Sequence, residues 1–368
     1  MLIRKAYKYR LKVPKSMEGA LLRYTGCCRF IWNYFWHLNQ YRLDNGYKIM
    51  FFHEMSHWLT ILKSSEEYGF LSEAPRECLQ YTIKTLSDTY IKCFKKQCGK
   101  PKVKRKDVHD VFHFYHSISI EGNSIRIPKL GYIKFIKSRE IEGAPKNVTV
   151  SRHCGNWYVS IQAEQEIDVP VNRPVSAIGI DVGVAEFASL SDGTVYPAVN
   201  AFHKTQKKIA WHQRKLNNKV KFSNNWRKQQ ERIRKQYQKV VNIRKDYLHK
   251  VSNDICKNHT KIIVEDLNIP SMLNKGRNFN KAILDQGWHE FFRQLEYKSS
   301  WRGGVFIKVN PAYTSQTCFE CGHVNKKNRK GQKEFVCMKC KHKANADINA
   351  SKNILAVGNT VTACLSQE

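Results

Sequence analysis

The sequence predicts an α+β multidomain protein: a small β-barrel with helices inserted into it, then an α/β unit interrupted by a metal-binding ribbon. Three observations predict it. Helical spacing up to about residue 100 gives way to short alternating runs; a second set of apolar strands begins beyond Pro170 and Pro174; and Cys318, Cys321, Cys337 and Cys340 form a C-x2-C-x15-C-x2-C set near the tail. A chain of 368 residues can hold two or three cores.

The first residues alternate. Ile3, Tyr7, Tyr9 and Leu11 share one face, broken by Lys5, and Arg4, Lys8, Arg10 and Lys12 share the other, which reads as a strand with one basic face. Leu21, Tyr24, Cys28, Ile31, Phe35 and Leu38 then recur at three and four residues, the stripe of a buried helix face. A second helix is expected from Phe52 to Leu62, and a third after Ser72, with Pro75 in its first turn and Tyr81, Leu86 and Cys93 inward. Trp32, Phe35 and Trp36 suit core packing and could also stack on bases. The run Lys100 to Lys106 is too charged for a core element and reads as a linker able to touch phosphate.

Strands are expected at Val111 to Ile120, Ser124 to Ile127, Tyr132 to Ile136, Val148 to Ser151 and Trp157 to Ala163, the last two joined by a Cys154-Gly155-Asn156 turn. Such short, evenly spaced strands suggest a small barrel. The first strand has no local partner before the helices, so it is expected to join that barrel.

Composition restricts the partners. The 63 Lys and Arg against 31 Asp and Glu leave a net charge of +32, which phosphates would neutralise with release of their counterions. No stretch approaches the roughly 18 to 20 apolar residues of a spanning helix, and the start lacks the apolar run of a signal peptide. A cytoplasmic location is therefore expected. The 12 cysteines agree, because the eight outside the ribbon are scattered without a disulfide framework.

The tail and the second half carry the chemistry. Four thiolates in two close pairs suit a closed tetrahedral Zn2+ site whose binding supplies much of the ribbon's folding free energy. Upstream, Ala177 to Val184 puts Gly179, Asp181 and Gly183 on one face, which leaves a carboxylate between two positions without side chains; that pattern also suits a plain turn. It leaves room for a metal ion and a phosphate to approach the backbone. The apolar run Lys261 to Val264 ends in Glu265, either at a site or at a solvated strand end. Asp347 opens a helix expected from Asn345 to Val357, where small Ala350 would let the helix lie close to a sheet. Three carboxylates on two strands and a helix are what a two-Mg2+ phosphodiesterase requires.

The segments GIDVGVAEF, IRKDYLHKVS, IVEDLNI, YTSQTCFECG and KANADINASKNI resemble the TnpB proteins encoded by transposons. The resemblance covers about residues 176 to 357, and the N-terminal half fits by layout. It implies a wedge-like β-barrel (1–15 and 101–170) with an inserted helical recognition lobe (16–100), followed by an RNase H-like nuclease domain of the RuvC type (171–312 and 341–368) with an inserted zinc ribbon (313–340). It implies Asp181, Glu265 and Asp347 as the catalytic triad holding two Mg2+ ions, and Cys318, Cys321, Cys337 and Cys340 as ligands of a structural Zn2+. It further implies a guide RNA from the transposon end, and double-stranded DNA cut beside a short transposon-adjacent motif in the nucleoid of a bacterium or archaeon. The relatives look ancestral to type V CRISPR effectors.

Between the first two acids, Ile233, Tyr237, Val240, Val251 and Ile255 form a broken apolar stripe, with lysines and arginines on the other faces. An amphipathic helical pair against the nuclease sheet is expected, its cations lining a channel for heteroduplex or displaced strand. Two other classes remain open: a strand-transferring transposase, and a nuclease-inactive RNA-guided DNA-binding regulator. The intact acids speak against the regulator. No helix-turn-helix or zinc-finger reading pattern stands out, and the oligomeric state stays open.

Overall fold

The computed structural model describes residues 1–116, 118–168, 176–273, 276–331 and 333–365; the chain divides into two compact units, Met1–Ile167 and Asp168–Glu368. The expected boundary at Pro170 and Pro174 lies outside the described residues. No helix among the described residues is long and apolar enough to cross a membrane.

In the first unit, β1 (Leu2–Lys12) leads into α1 (Lys15–Asp44), α2 (Phe52–Ser64) and α3 (Arg76–Phe94). The chain then returns as β2 (Val111–Phe114), β3 (Ile120–Glu121), β4 (Ser124–Ile127), β5 (Gly131–Ile136), β6 (Ala144–His153) and β7 (Asn156–Glu166). These strands form one sheet in the order β2-β6-β7-β1-β5-β4-β3. The first strand pairs with β7 and β5, as its lack of a local partner requires. Among the described residues the edge strands β2 and β3 do not pair, so the sheet is a half-barrel where a small barrel was expected. Its β6-β7 hairpin turns on Cys154 and Gly155, both at positive φ (49° and 74°), the twist that a two-residue hairpin needs.

Sheet and helices share one hydrophobic core, in which Leu21, Tyr24 and Ile31 of α1 meet Phe112, Ile125 and Val159 of the strands. Each such side chain contributes roughly 1.5–3 kcal/mol by burial. Pro75 lies just before α3 rather than in its first turn, and the residues it buries are Leu79, Ile83, Leu86 and Tyr90, with Tyr81 and Cys93 only half covered. The basic run after α3 is strapped to α1. The Trp32 and Trp36 indoles donate to the carbonyls of Lys102 and Pro101, and Asn33 exchanges two hydrogen bonds with the Lys104 backbone. Those tryptophans are packing residues.

The second unit contains β8 (Ala177–Val182), β9 (Glu186–Leu190), β10 (Val195–Pro197), α4 (Ala201–Asn217), α5 (Asn224–Asn258) and β11 (Lys261–Glu265). It continues through α6 (Ile269–Met272), α7 (Arg277–Gln286), α8 (Trp288–Trp301), β12 (Val305–Val309), β13 (Glu334–Val336), β14 (Lys343–Asn345) and α9 (Ala346–Leu365). The main sheet runs β10-β9-β8-β11-β12, antiparallel on the β9 side and parallel from β8 through β12. Strand alternation assigns its two faces. Ile178, Ile180, Ile262 and Val264 pack with α5 and α8, whereas Ile263 packs with Ile354 of α9. By the same parity Gly179, Asp181 and Glu265 belong to the face that α9 covers. Only the second half of α5, through Leu248, Val251 and Ile255, joins the sheet's core. Its first half pairs with α4, so the helical pair is only partly against the sheet.

Candidate active site and metal centre

The pairing of β8 with β11 ends at Ile180 opposite Val264, so Asp181 and Glu265 are the next residues of adjacent parallel strands at the same sheet edge. On that face α9 lies unusually close. A methyl added at Gly179 would stand 2.7 Å from the Leu355 amide nitrogen and closer still to the Ser351 carbonyl oxygen, and one at Gly358 would meet Ile263 at 2.5 Å. The space beside Gly179 is therefore filled by the helix, which corrects the expectation of an open approach for metal and phosphate there. Ala350 is buried too, but the two glycines set the approach. Asp347 stands one helical turn before Ser351, which brings it to Asp181.

Asn345 fixes the start of α9, its side-chain oxygen accepting from the amides of Asp347 (2.9 Å) and Ile348 (3.3 Å). The three acids feel one another. Burial pushes the Asp181 carboxyl well above the usual carboxylate range, and repulsion from Glu265 and Asp347 adds to it. Burial also raises Glu265 and Asp347. For Glu265 a hydrogen bond from the Thr314 hydroxyl opposes the rise; for Asp347, Arg329 does so through an ion pair at 3.0 Å. Asp266, next to Glu265, turns outward and pairs with Lys308 at 3.7 Å.

Sequence reasoning missed Arg329 and Thr314. Arg329 arrives from the ribbon segment and its charge acts on all three acids. Nothing in the spacing of a single arginine among many marks it. Thr314 was discoverable in principle, as a hydroxyl just upstream of the first thiol pair.

The four thiols Cys318, Cys321, Cys337 and Cys340 meet with every sulfur within 4.8 Å of the others. Two separations are 3.7 Å (Cys318 to Cys340) and 3.5 Å (Cys321 to Cys337). A tetrahedron of Zn–S bonds near 2.3 Å has edges of about 3.8 Å, so the donor set fits one such ion. Each pair sits in the same backbone knuckle. The Cys318 amide donates to the His323 carbonyl and the Gly322 amide to Cys318; likewise Cys337 donates to His342 and Lys341 to Cys337. The residue after each second thiol has positive φ, 69° at Gly322 and 62° at Lys341.

This ribbon is tied to the acids. β13 and β14 run straight into α9. On α9, the side-chain amide of Asn349 donates to the Thr317 carbonyl, and that of Asn353 donates to the carbonyls of Thr314 and Thr317. The Phe319 amide returns a bond to Asn349.

Comparison with known proteins places the chain. InsQ of Escherichia coli K12, named as an RNA-guided DNA endonuclease, is 42% identical over 98% of this chain and 93% of its own length. The chain belongs to the TnpB family. The OrfB_IS605 family model, described as "Probable transposase", matches residues 160–275 of this TnpB protein, and a Cas12f1-like TNB domain model matches 288–354. A relative from Streptomyces pristinaespiralis, also named as an RNA-guided DNA endonuclease, is 29% identical over 98% of the chain and 91% of its own length. The fold is like that of Cas12f1 solved with single-guide RNA and target DNA, at a TM-score of 0.61 and 15% identity over 96% of this chain and 98% of that one. A model described as a helix-turn-helix domain matches residues 1–48. In this TnpB protein that stretch is a strand followed by a single 30-residue helix.

Proposed function

We propose that this chain, a nuclease of the TnpB family, is an RNA-guided DNA endonuclease that cuts double-stranded DNA beside a short transposon-adjacent motif by two-metal phosphodiester hydrolysis. The observation that carries the reading is the gathering of Asp181, Glu265 and Asp347 on one sheet face, with Asp181 held in mutual repulsion with the other two. Such a cluster of hard oxygen donors suits Mg2+ better than any structural role, since nearby like charges oppose folding unless cations offset them. When bound, two Mg2+ ions would supply an activated water and stabilise the departing oxygen.

The chain's own residues do the rest. Asp181, Glu265 and Asp347 would hold the metals. Thr314 fixes the Glu265 carboxylate, and Asn345 with the first turn of α9 fixes Asp347. Arg329 balances part of the charge of the three acids and stands where its guanidinium would meet a scissile phosphate. The four cysteines would hold a structural Zn2+, which would keep Arg329, Thr314 and Asp347 in register. On this reading the half-barrel and helices are the wedge-like element and recognition lobe, and the second unit is an RNase H-like nuclease of the RuvC type with a zinc ribbon. The partners are a guide RNA from the transposon end and its DNA target, in the bacterial or archaeal cytoplasm at the nucleoid.

The transposase description of the family model favours one second reading, strand transfer at the same acids. Product analysis separates them, because strand transfer joins DNA ends and hydrolysis leaves them free. The direct test loads the protein with a reprogrammed guide and offers matched and mismatched plasmids with randomised flanks. Cutting should move to the new match beside one flanking motif. A cut site that ignores the guide would contradict the reading.

A further inference from the structure

The hairpin of α4 and α5 is the part of the second unit that the acids do not explain. Tyr247 ties it to the body beside the acids: its ring packs on Phe187 at 5.2 Å, and Glu186 acts on both Tyr247 and Asp347. From Tyr247 back to Asn224, 23 residues of helix span about 35 Å at 1.5 Å each. Outward of Tyr237 the buried residues of the pair are Ile209, His212, Gln229 and Ile233, the two polar ones joined by a Gln229 to His212 bond at 3.1 Å. Between Lys204 and Val240 stand 13 lysines and arginines against one acid, Glu231, itself paired with Lys235 at 2.9 Å. Such a surface is complementary to a polyanion.

At the apex the chemistry changes. Val220 is 80% exposed and Phe222 71% exposed, and Phe222 holds a left-handed φ of 66° that an aromatic residue seldom adopts. Trp226 stands behind it at 5.4 Å. A strained, uncovered ring adds nothing to folding, and an aromatic face among cations is what stacks on a nucleobase. Full stacking on such a ring needs a base whose face is open, which an unpaired base offers without the cost of unstacking a duplex.

Resting on the RNA-guided nuclease reading, we propose that the hairpin guides the DNA strand running to the acids, and that Phe222 stacks on one unpaired base of that strand. DNA is chosen over the guide RNA because only a strand to be cut must pass the acids. An unpaired strand covers at least the duplex spacing of about 3.4 Å per nucleotide, so 35 Å places the contact within roughly ten nucleotides of the cut.

The test uses the guide-loaded protein and matched DNA carrying 2-aminopurine at single positions, without divalent metal so that nothing is cut. Wild type should quench fluorescence at one or two adjacent positions within roughly ten nucleotides of the cut. Phe222→Ala should abolish the quench and weaken DNA binding about 5- to 150-fold, whereas Phe222→Trp should keep both. Phe279→Ala, which removes a ring 42% exposed on α7, is the control and should change neither. Phe222→Gly separates contact from folding: relief of the left-handed φ should leave the melting temperature level or higher while the quench is lost. If guide-directed cutting is intact but Phe222→Ala matches wild type, with no quench anywhere, the stacking contact is wrong and the nuclease reading stands. Quenching only from the guide RNA would overturn the choice of strand. Failure of the wild type to cut any guide-matched DNA would overturn both.

Discussion

The thiol cluster and the acid cluster of the second unit are built in opposite ways. The thiol cluster is local: Cys318 to Cys340 lie within one short segment, and each pair sits in its own repeated knuckle. The acid cluster is assembled from afar, from two strands and a helix start, and depends on α9 lying against Gly179. Local construction tolerates change elsewhere in the fold. Construction from afar makes the acid site sensitive to every contact that positions α9, including those the ribbon supplies through Asn349, Asn353 and Arg329.

The largest effect that would sharpen this contrast falls on the acids themselves. Asp181→Ala, Glu265→Ala or Asp347→Ala should each reduce DNA cutting by about 10³-fold or more, from loss of several kcal/mol of transition-state stabilisation, while RNA binding persists. Cleavage assays on a matched plasmid with Mg2+ check it. Next comes the ribbon. Cys337→Ser should lower bound zinc from one ion per chain to none, by elemental analysis, and melt the ribbon locally. Cutting should fall by roughly 10- to 100-fold, as expected when support for metal ligands is lost. Unchanged zinc content would remove this site.

Gly179→Ala probes assembly from afar without touching a functional atom. The added methyl must push α9 outward, so the folded state should lose about 1–3 kcal/mol and cutting should drop with it. Arg329→Ala should cost about 10²-fold in cutting with little change in zinc content, since the group acts on charge rather than on the ribbon's fold. The smallest effect is on stability and has the opposite sign. Asp181 has a folded-state pKa raised above its unfolded value by burial and by the neighbouring acids, so its charged form opposes folding at neutral pH in the metal-free protein. Asp181→Asn should therefore raise the melting temperature in chelator, each kcal/mol appearing as about 2–4 °C. The gain should shrink as pH falls through the raised pKa, and added Mg2+ should reverse the order.

Legibility follows the same division. The thiol ribbon and the three acids were readable because each carries its own local pattern: paired cysteines, an aspartate between glycines, an apolar strand ending in glutamate. Strand 1's place in the sheet was readable because it had no local partner. What stayed hidden depends on contacts between distant segments. Arg329 is one basic residue among 63, and only the fold turns it toward the acids. Gly179 read as space for a ligand because alternation tells which face a residue takes and not what lies on it. The expected small barrel became a half-barrel because the pairing of edge strands has no sequence mark.

The most direct test of the central claim, that the three acids act as one centre, is a cycle of cutting rates for Asp181→Asn, Asp347→Asn and the double variant, on a guide-matched plasmid with Mg2+. Residues of one centre are strongly non-additive, so the double variant should cut no more slowly than the worse single one. Losses that multiply, or a single variant that cuts at the wild-type rate, would contradict it.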